Sequence, residues 1–204
     1  MMTDSIRTLE TLEIVGGALC LDFVNTINSR VNPEHDYLMY YSDLVGWANK
    51  VGILPSSHAN QLYERANQNI EEADEALKAA RDLRELLYRI FSKLVNGSNP
   101  KKEDMVSFVR YYGESISQGQ FFKTEKHYMT VWRFDQALDA LLLPIIHSAG
   151  ELLQSDDLPH VKECPGCGWL FLDTSKNQSR RWCSMNTCGA RDKMRRYHKR
   201  KQAK

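Results

Sequence analysis

Along the first 158 residues, apolar positions recur mostly at helical spacing. Leu19, Phe23 and Ile27 follow Gly16-Gly17 at intervals of four, the seam of a buried helix. A polar, aromatic-rich loop runs from Asn32-Pro33 to Tyr41. Ser42-Asp43 then stands where it would cap a short helix burying Leu44, Trp47 and Val51, before Gly52 and Pro55 interrupt it. The clearest period spans Glu71 to Val95. Leu77, Ala80, Leu87, Ile90 or Phe91, and Leu94 share one face, Arg84 alone is off pattern, and Asn96-Gly97 supplies a left-handed stop. Asn99-Pro100 opens a further helix expected to bury Met105, Phe108 and Val109. Between Phe121 and Phe134 the period shortens: Tyr128, Thr130 and Trp132 alternate with Met129 and Val131, which predicts a short hairpin. A long apolar helix is expected from Asp135 to Gln154, kinked at Pro144, whose ring removes a donor and clashes with the carbonyl four residues back. Ser155 to Pro159 reads as a linker. The predicted fold is mainly α: a helical N-terminal domain over 1–158 with a short β-hairpin, then a small module over 159–204.

That module carries four of the five cysteines. Cys164, Cys167, Cys183 and Cys188 give C-x2-C-x15-C-x4-C, two close pairs of the kind that gather four soft ligands around one zinc ion. Four thiolates also suit an iron–sulfur cluster, the minor alternative. Gly166 and Gly168 allow the first pair to turn its backbone N–H groups toward the sulfurs. Trp169 to Leu172 reads as a strand, Asp173 to Asn177 as a polar turn and Gln178 to Trp182 as the return, so a hairpin is expected between the pairs. A helix then starts at Cys188, a treble-clef-like plan in which zinc, at roughly 10–16 kcal/mol in small finger peptides, supplies most of the stability. Cys20, between Leu19 and Leu21, reads as a buried small hydrophobe.

Composition alters this picture in one respect. The net charge of +1 conceals a division: residues 160–204 hold 12 Lys+Arg against 3 Asp+Glu, a balance of +9, and residues 1–159 hold 15 against 23, a balance of −8. In the terminal helix Ala190, Met194 and Tyr197 form a narrow seam expected to pack on the hairpin. Arg191, Lys193, Arg195, Arg196, Lys199 and Arg200 cover the rest, and Arg180 and Arg181 add charge beside Trp182. These eight residues are the candidate DNA contacts, because arginine forks onto guanine or phosphate. Duplex DNA is the first reading of this surface; RNA and protein, including the acidic N-terminal domain, are the others. Few aromatics accompany the charge, which disfavours single-strand stacking.

The stretch Cys164-Pro165-Gly166-Cys167-Gly168-Trp169-Leu170-Phe171-Leu172-Asp173, with Ser179-Arg180-Arg181-Trp182-Cys183-Ser184-Met185, resembles the CGNR zinc finger. Gly16-Gly17-Ala18-Leu19-Cys20-Leu21-Asp22-Phe23-Val24-Asn25-Thr26 resembles the opening of the ABATE domain, which precedes that finger in bacterial proteins. The resemblance implies a stress-responsive transcription regulator whose finger binds DNA. One departure is Cys188-Gly189-Ala190-Arg191, with alanine where the family usually has asparagine; on the inward seam, Ala190 is expected to affect packing more than DNA contact.

In the N-terminal domain Asp22 and Asn25 are polar positions in a buried helix. They read either as hydrogen-bonding supports or, with Trp47, as part of a ligand pocket for a small-molecule effector. The domain is expected to sense such an effector, dimerise the protein or recruit a partner. No phosphate loop, carboxylate pair or nucleophile motif points to an enzyme. No run of ~18 apolar residues implies a membrane span, and the N-terminus lacks the pattern of a secretory signal, so the cytoplasm is the expected compartment. The main alternative to a DNA-binding regulator is a zinc adaptor for protein or RNA; the lesser one is an enzyme in the N-terminal domain with the finger as its targeting device.

Overall fold

The computed structural model describes residues 8–135 and 137–202. Six helices form its body: α1 Leu19–Val24, α2 Tyr41–Lys50, α3 Ser56–Gln68, α4 Ile70–Val95, α5 Lys102–Gln118 and α6 Leu143–Leu153. Strands β1 (Gln120–Lys123) and β2 (Tyr128–Val131) make an antiparallel hairpin after α5, with Phe121 opposite Thr130 and Phe122 opposite Met129. A second hairpin, β3 (Val161–Glu163) with β4 (Leu170–Leu172), precedes the terminal helix α7 (Ala190–Gln202). Among the described residues, no helix is long and apolar enough to cross a membrane.

Helix α4 is the central strut. Its apolar face puts Leu87, Ile90 and Phe91 out of solvent. Arg84 is buried on the same face, where its guanidinium forks onto Asp36 at 2.7 and 2.6 Å. The polar residue breaking the pattern is therefore an ion-paired core position. Beyond Val95 the backbone of Gly97 turns left-handed at φ 69°. Its N–H donates to the Leu94 carbonyl and that of Ser98 to the Lys93 carbonyl, the pairing that closes a helix C-terminus.

Several elements differ from the sequence expectation. Helix α3 was not anticipated: only Ala59 and Leu62 are buried along its 13 residues, too thin a stripe to declare itself. The expected helix over 135–154 is a 3-10 turn, Leu138–Leu142, followed by α6. Pro144 lies in the first turn of α6, where no intrahelical donor is needed, so no kink arises. Val109 is exposed on α5 although Phe108 beside it is buried. Asp43 serves the N–H groups of Met39 and Tyr40, both at 2.8 Å, from inside α2, whose cap position is Tyr40.

The core is continuous between the two parts of the chain. Phe23 and Trp47, with ring centroids 5.3 Å apart, belong to the same buried cluster as Leu170 and Phe171 of β4. Helix α1 packs against β4, and α4 against β3. Glu163 of β3 accepts from Ser92 at 2.8 Å and Tyr88 at 3.3 Å, both on α4.

Candidate metal centre and basic helix

The four cysteine sulfurs converge within 4.8 Å of one another, and all four residues are buried. Cys167 Sγ lies 3.5 Å from Cys183 Sγ, which lies 3.7 Å from Cys188 Sγ. Four sulfurs placed tetrahedrally at about 2.3 Å from zinc stand about 3.8 Å apart. The observed spacings match that edge, and they exceed by far the length of about 2.05 Å at which a disulfide forms. The cluster fits one zinc ion.

Local sequence explains the convergence. β3 and β4 are joined through the Cys164–Cys167 turn itself, so the strand preceding the first cysteine pairs with the strand following it. The expected hairpin between the cysteine pairs is replaced by this one, and residues 173–182 form a loop. In the turn, Cys164 N–H donates to the Trp169 carbonyl and Gly168 N–H to the Cys164 carbonyl, each at 2.8 Å. Gly168 has φ 73°, and a Cβ there would lie 2.7 Å from Arg30 Cβ; the position requires glycine twice over. The second pair is brought round by a π-turn, Met185–Gly189, immediately ahead of α7. Buried Asp173 organises the loop between them: it accepts from Lys162 at 2.6 Å, Ser175 and the Arg180 N–H. Lys162, and then Ser175, hold its carboxyl well below the usual carboxylate range.

The N-terminal domain forms the outer wall of the turn. Arg30 N–H donates to the Cys167 carbonyl at 2.7 Å, the Ser29 hydroxyl reaches the same oxygen, and the Trp169 indole donates to the Ile27 carbonyl at 2.7 Å. Asn25 pairs with both backbone groups of Leu170, donating to its carbonyl at 2.8 Å and accepting from its N–H at 3.0 Å. Short polar residues in the loop after α1 carry no sequence signal for this role, since their partner lies about 140 positions away in the chain.

The ABATE family, described as "Putative stress-induced transcription regulator", matches residues 17–156, and the CGNR zinc finger matches residues 160–201. The chain belongs to the ABATE family. No curated protein matches it.

The basic residues of this ABATE-family chain occupy distinct positions. Arg180 is turned inward: its guanidinium lies 4.5 Å over the Phe171 ring and donates to the carbonyls of Trp182 and Cys183. Arg195 and Arg196 are paired with Asp192, the one buried residue of α7. Arg181, Lys193, Lys199 and Arg200 are exposed, and Arg191 borders a polar cleft of about 420 Å³ that Glu13 and Asn28 also line. The seam of Ala190, Met194 and Tyr197 does not pack on the hairpin. Met194 and Tyr197 are each 57% exposed, because α7 contacts the body chiefly through the π-turn, and Ala190 and Tyr197 line an open groove with Trp182 and Met185.

The remaining N-terminal candidates are held in the framework. Asp22 accepts from the Gly16 N–H at 2.7 Å, Asn25 is committed to Leu170, and Trp47 is fully buried. Cys20 is also fully buried, and burial pushes its thiol up to about 12, far from a nucleophile's range.

Proposed function

We propose that this ABATE-family protein is a zinc-dependent DNA-binding regulator, acting by binding rather than catalysis. The observation carrying this reading is the basic surface of α7, anchored at its first turn to a four-cysteine centre. Lys193, Lys199 and Arg200 of α7, with Arg181 of the loop before the second cysteine pair, are exposed, and none has an ion-pair partner among the described residues. Phosphate oxygens would satisfy them. Arg195 and Arg196 need only exchange Asp192 for phosphate to join, whereas Arg180 braces the metal loop and contributes indirectly.

The test is fluorescence anisotropy of zinc-loaded protein with a labelled random duplex over a salt series. Log affinity should fall linearly with log salt, by about 0.9 per phosphate neutralised. Charge reversal at Arg181, Lys193, Lys199 and Arg200 should flatten that slope by roughly 3 to 4 and leave zinc content unchanged. Binding unaltered by the four reversals would remove the surface from consideration. Tighter binding to single-stranded RNA than to duplex would move the protein to the adaptor class.

A further inference from the structure

Outside the finger, exposed large apolar side chains cluster on α5 and the hairpin that follows it; Ile14, Val31, Met39, Tyr40 and Ile70 are exposed elsewhere on the body. On α5, Val106, Val109 and Ile116 are 52–62% exposed, and with Gly113 they fall within about a quarter of the helix circumference. The opposite side of α5, through Phe108 and Ser115, is buried toward α6. The β1–β2 hairpin begins directly beyond the last turn of α5. It is fastened there by the Trp132 indole donating to the Ser115 carbonyl at 2.9 Å, and by Gly119, where a Cβ would lie 2.7 Å from Thr130. On one face of this two-stranded ribbon stand Phe121 and Tyr128, in edge contact at 6.4 Å; Phe122 and Met129 stand on the other. All four are 47–81% exposed. A lone two-stranded hairpin is marginal in water, and one with apolar pairs on both faces cannot cover them with its own chain.

We propose that α5 and the hairpin form the homodimer surface, with two α5 helices crossing antiparallel near Gly113. Three features identify the occupant as a second copy. The first is area. Taking roughly 150–250 Å² for a fully exposed aromatic side chain and somewhat less for the aliphatics, the α5 stripe with the Phe121–Tyr128 face of the ribbon presents roughly 500 Å², the apolar share expected of the ~800 Å² each partner contributes to a stable interface. The second is the place of Gly113. Glycine disfavours a helix interior, and a Cβ there would meet nothing within 4 Å, so no intrachain contact requires it. At the centre of an apolar stripe it lets another backbone approach closely. The third is charge. In an antiparallel crossing centred there, Arg110 of one copy comes opposite Glu114 of the other, on the interface rim. Within one chain Arg110 lies over the Tyr111 ring and has no carboxylate partner among the described residues. The contact is self-complementary and closes as a two-fold.

Sedimentation velocity of the zinc-loaded full chain, from about 1 to 100 µM, tests this. Wild type should dimerise across that range. Val109→Glu and Phe121→Asp, both at exposed positions, should each weaken association by roughly thirtyfold or more, the loss expected of an interface anchor, with helical content and bound zinc unchanged. Gly113→Leu should act in the same direction by filling the crossing point. Arg110→Glu should weaken the dimer, and Arg110→Glu with Glu114→Arg should restore it. A wild-type protein monomeric at 100 µM, or a dimer indifferent to Val109→Glu and Phe121→Asp, would overturn the proposal and leave this face to another partner; failure of the charge swap to restore association would overturn the antiparallel crossing.

Discussion

Asp22 and Asn25 lie three positions apart around α1, yet burial acts on them differently. Both amide atoms of Asn25 are matched by Leu170, so its burial leaves no polar atom without a partner. Asp22 is ionisable, and burial pushes its carboxyl up to about 6 despite the Gly16 and Val15 N–H groups that favour the charged form. The unfolded chain titrates this group near 3.8. Between about pH 4 and 6 the folded state therefore retains a proton that the unfolded state has released, and stability falls as pH rises through that window. The cost is about 3 kcal/mol once both states are ionised. Asp22→Asn keeps an acceptor for Gly16 and removes the titration, so its stability difference between pH 4 and 7, measured by urea unfolding, should shift relative to wild type by about 2–3 kcal/mol in favour of neutral pH. An unchanged pH profile would show that Asp22 does not titrate in this range. At the Asp36–Arg84 pair, burial opposes ionisation of Asp36, but the bonds and charge of Arg84 prevail and hold its carboxyl below the ordinary value. Asp36→Ala takes the bidentate partner from the buried guanidinium, leaving it Glu85 and the Thr26 carbonyl, and should cost about 3 kcal/mol. Lys78→Ala, which breaks the exposed pair with Asp82, should cost under about 0.5 kcal/mol in the same denaturation assay.

At the scale of elements, legibility followed the strength of the local pattern. Helix α4 has both a long apolar face, broken only at Arg84, and a glycine stop, and its span was readable to within a residue at the N-terminal end. Gly97→Ala, forcing a side chain into the left-handed region, should lower stability by about 1–2 kcal/mol. Helix α3 was invisible because two buried residues do not make a period. The segment around Pro144 was misjudged because position within a helix decides whether proline kinks it or begins it. The cysteine spacing identified the metal centre without any element boundary being known, since four thiols must converge whatever route the chain takes. The route itself was misread: strand β3 precedes the motif and is only three residues long, and the polar 173–182 loop resembled the return of a hairpin. The α7 seam failed for a different reason. Apolar residues at helical spacing predict a buried face only where something stands opposite, and among the described residues α7 packs chiefly on the π-turn at its own start.

For the molecule as a whole, the buried cluster joins metal module and helical body. β4 contributes Leu170 and Phe171, both fully buried, and β3 is bonded through Glu163 to α4. Removing zinc with a chelator should therefore lower the melting temperature of the entire chain in one cooperative transition, followed by far-UV circular dichroism at 222 nm. Separate melting of a small C-terminal unit, with the helical signal unmoved, would contradict this continuity. Sequence alone placed the acidic body, the basic tail and the thiol cluster, but the joint between them rests on hydrogen bonds of Asn25, Ile27, Ser29 and Arg30 that leave no compositional trace.

That joint makes the finger a poor candidate for transplantation. A fusion engineer who severs the chain at residue 159 strips Leu170, Phe171 and Trp169 of their cover and leaves the Cys167 and Leu170 carbonyls without the donors that seat them. A portable version needs residues 25–30, or a designed substitute for them, carried alongside, and chimaeras shuffled between relatives should survive only when both stretches come from the same parent.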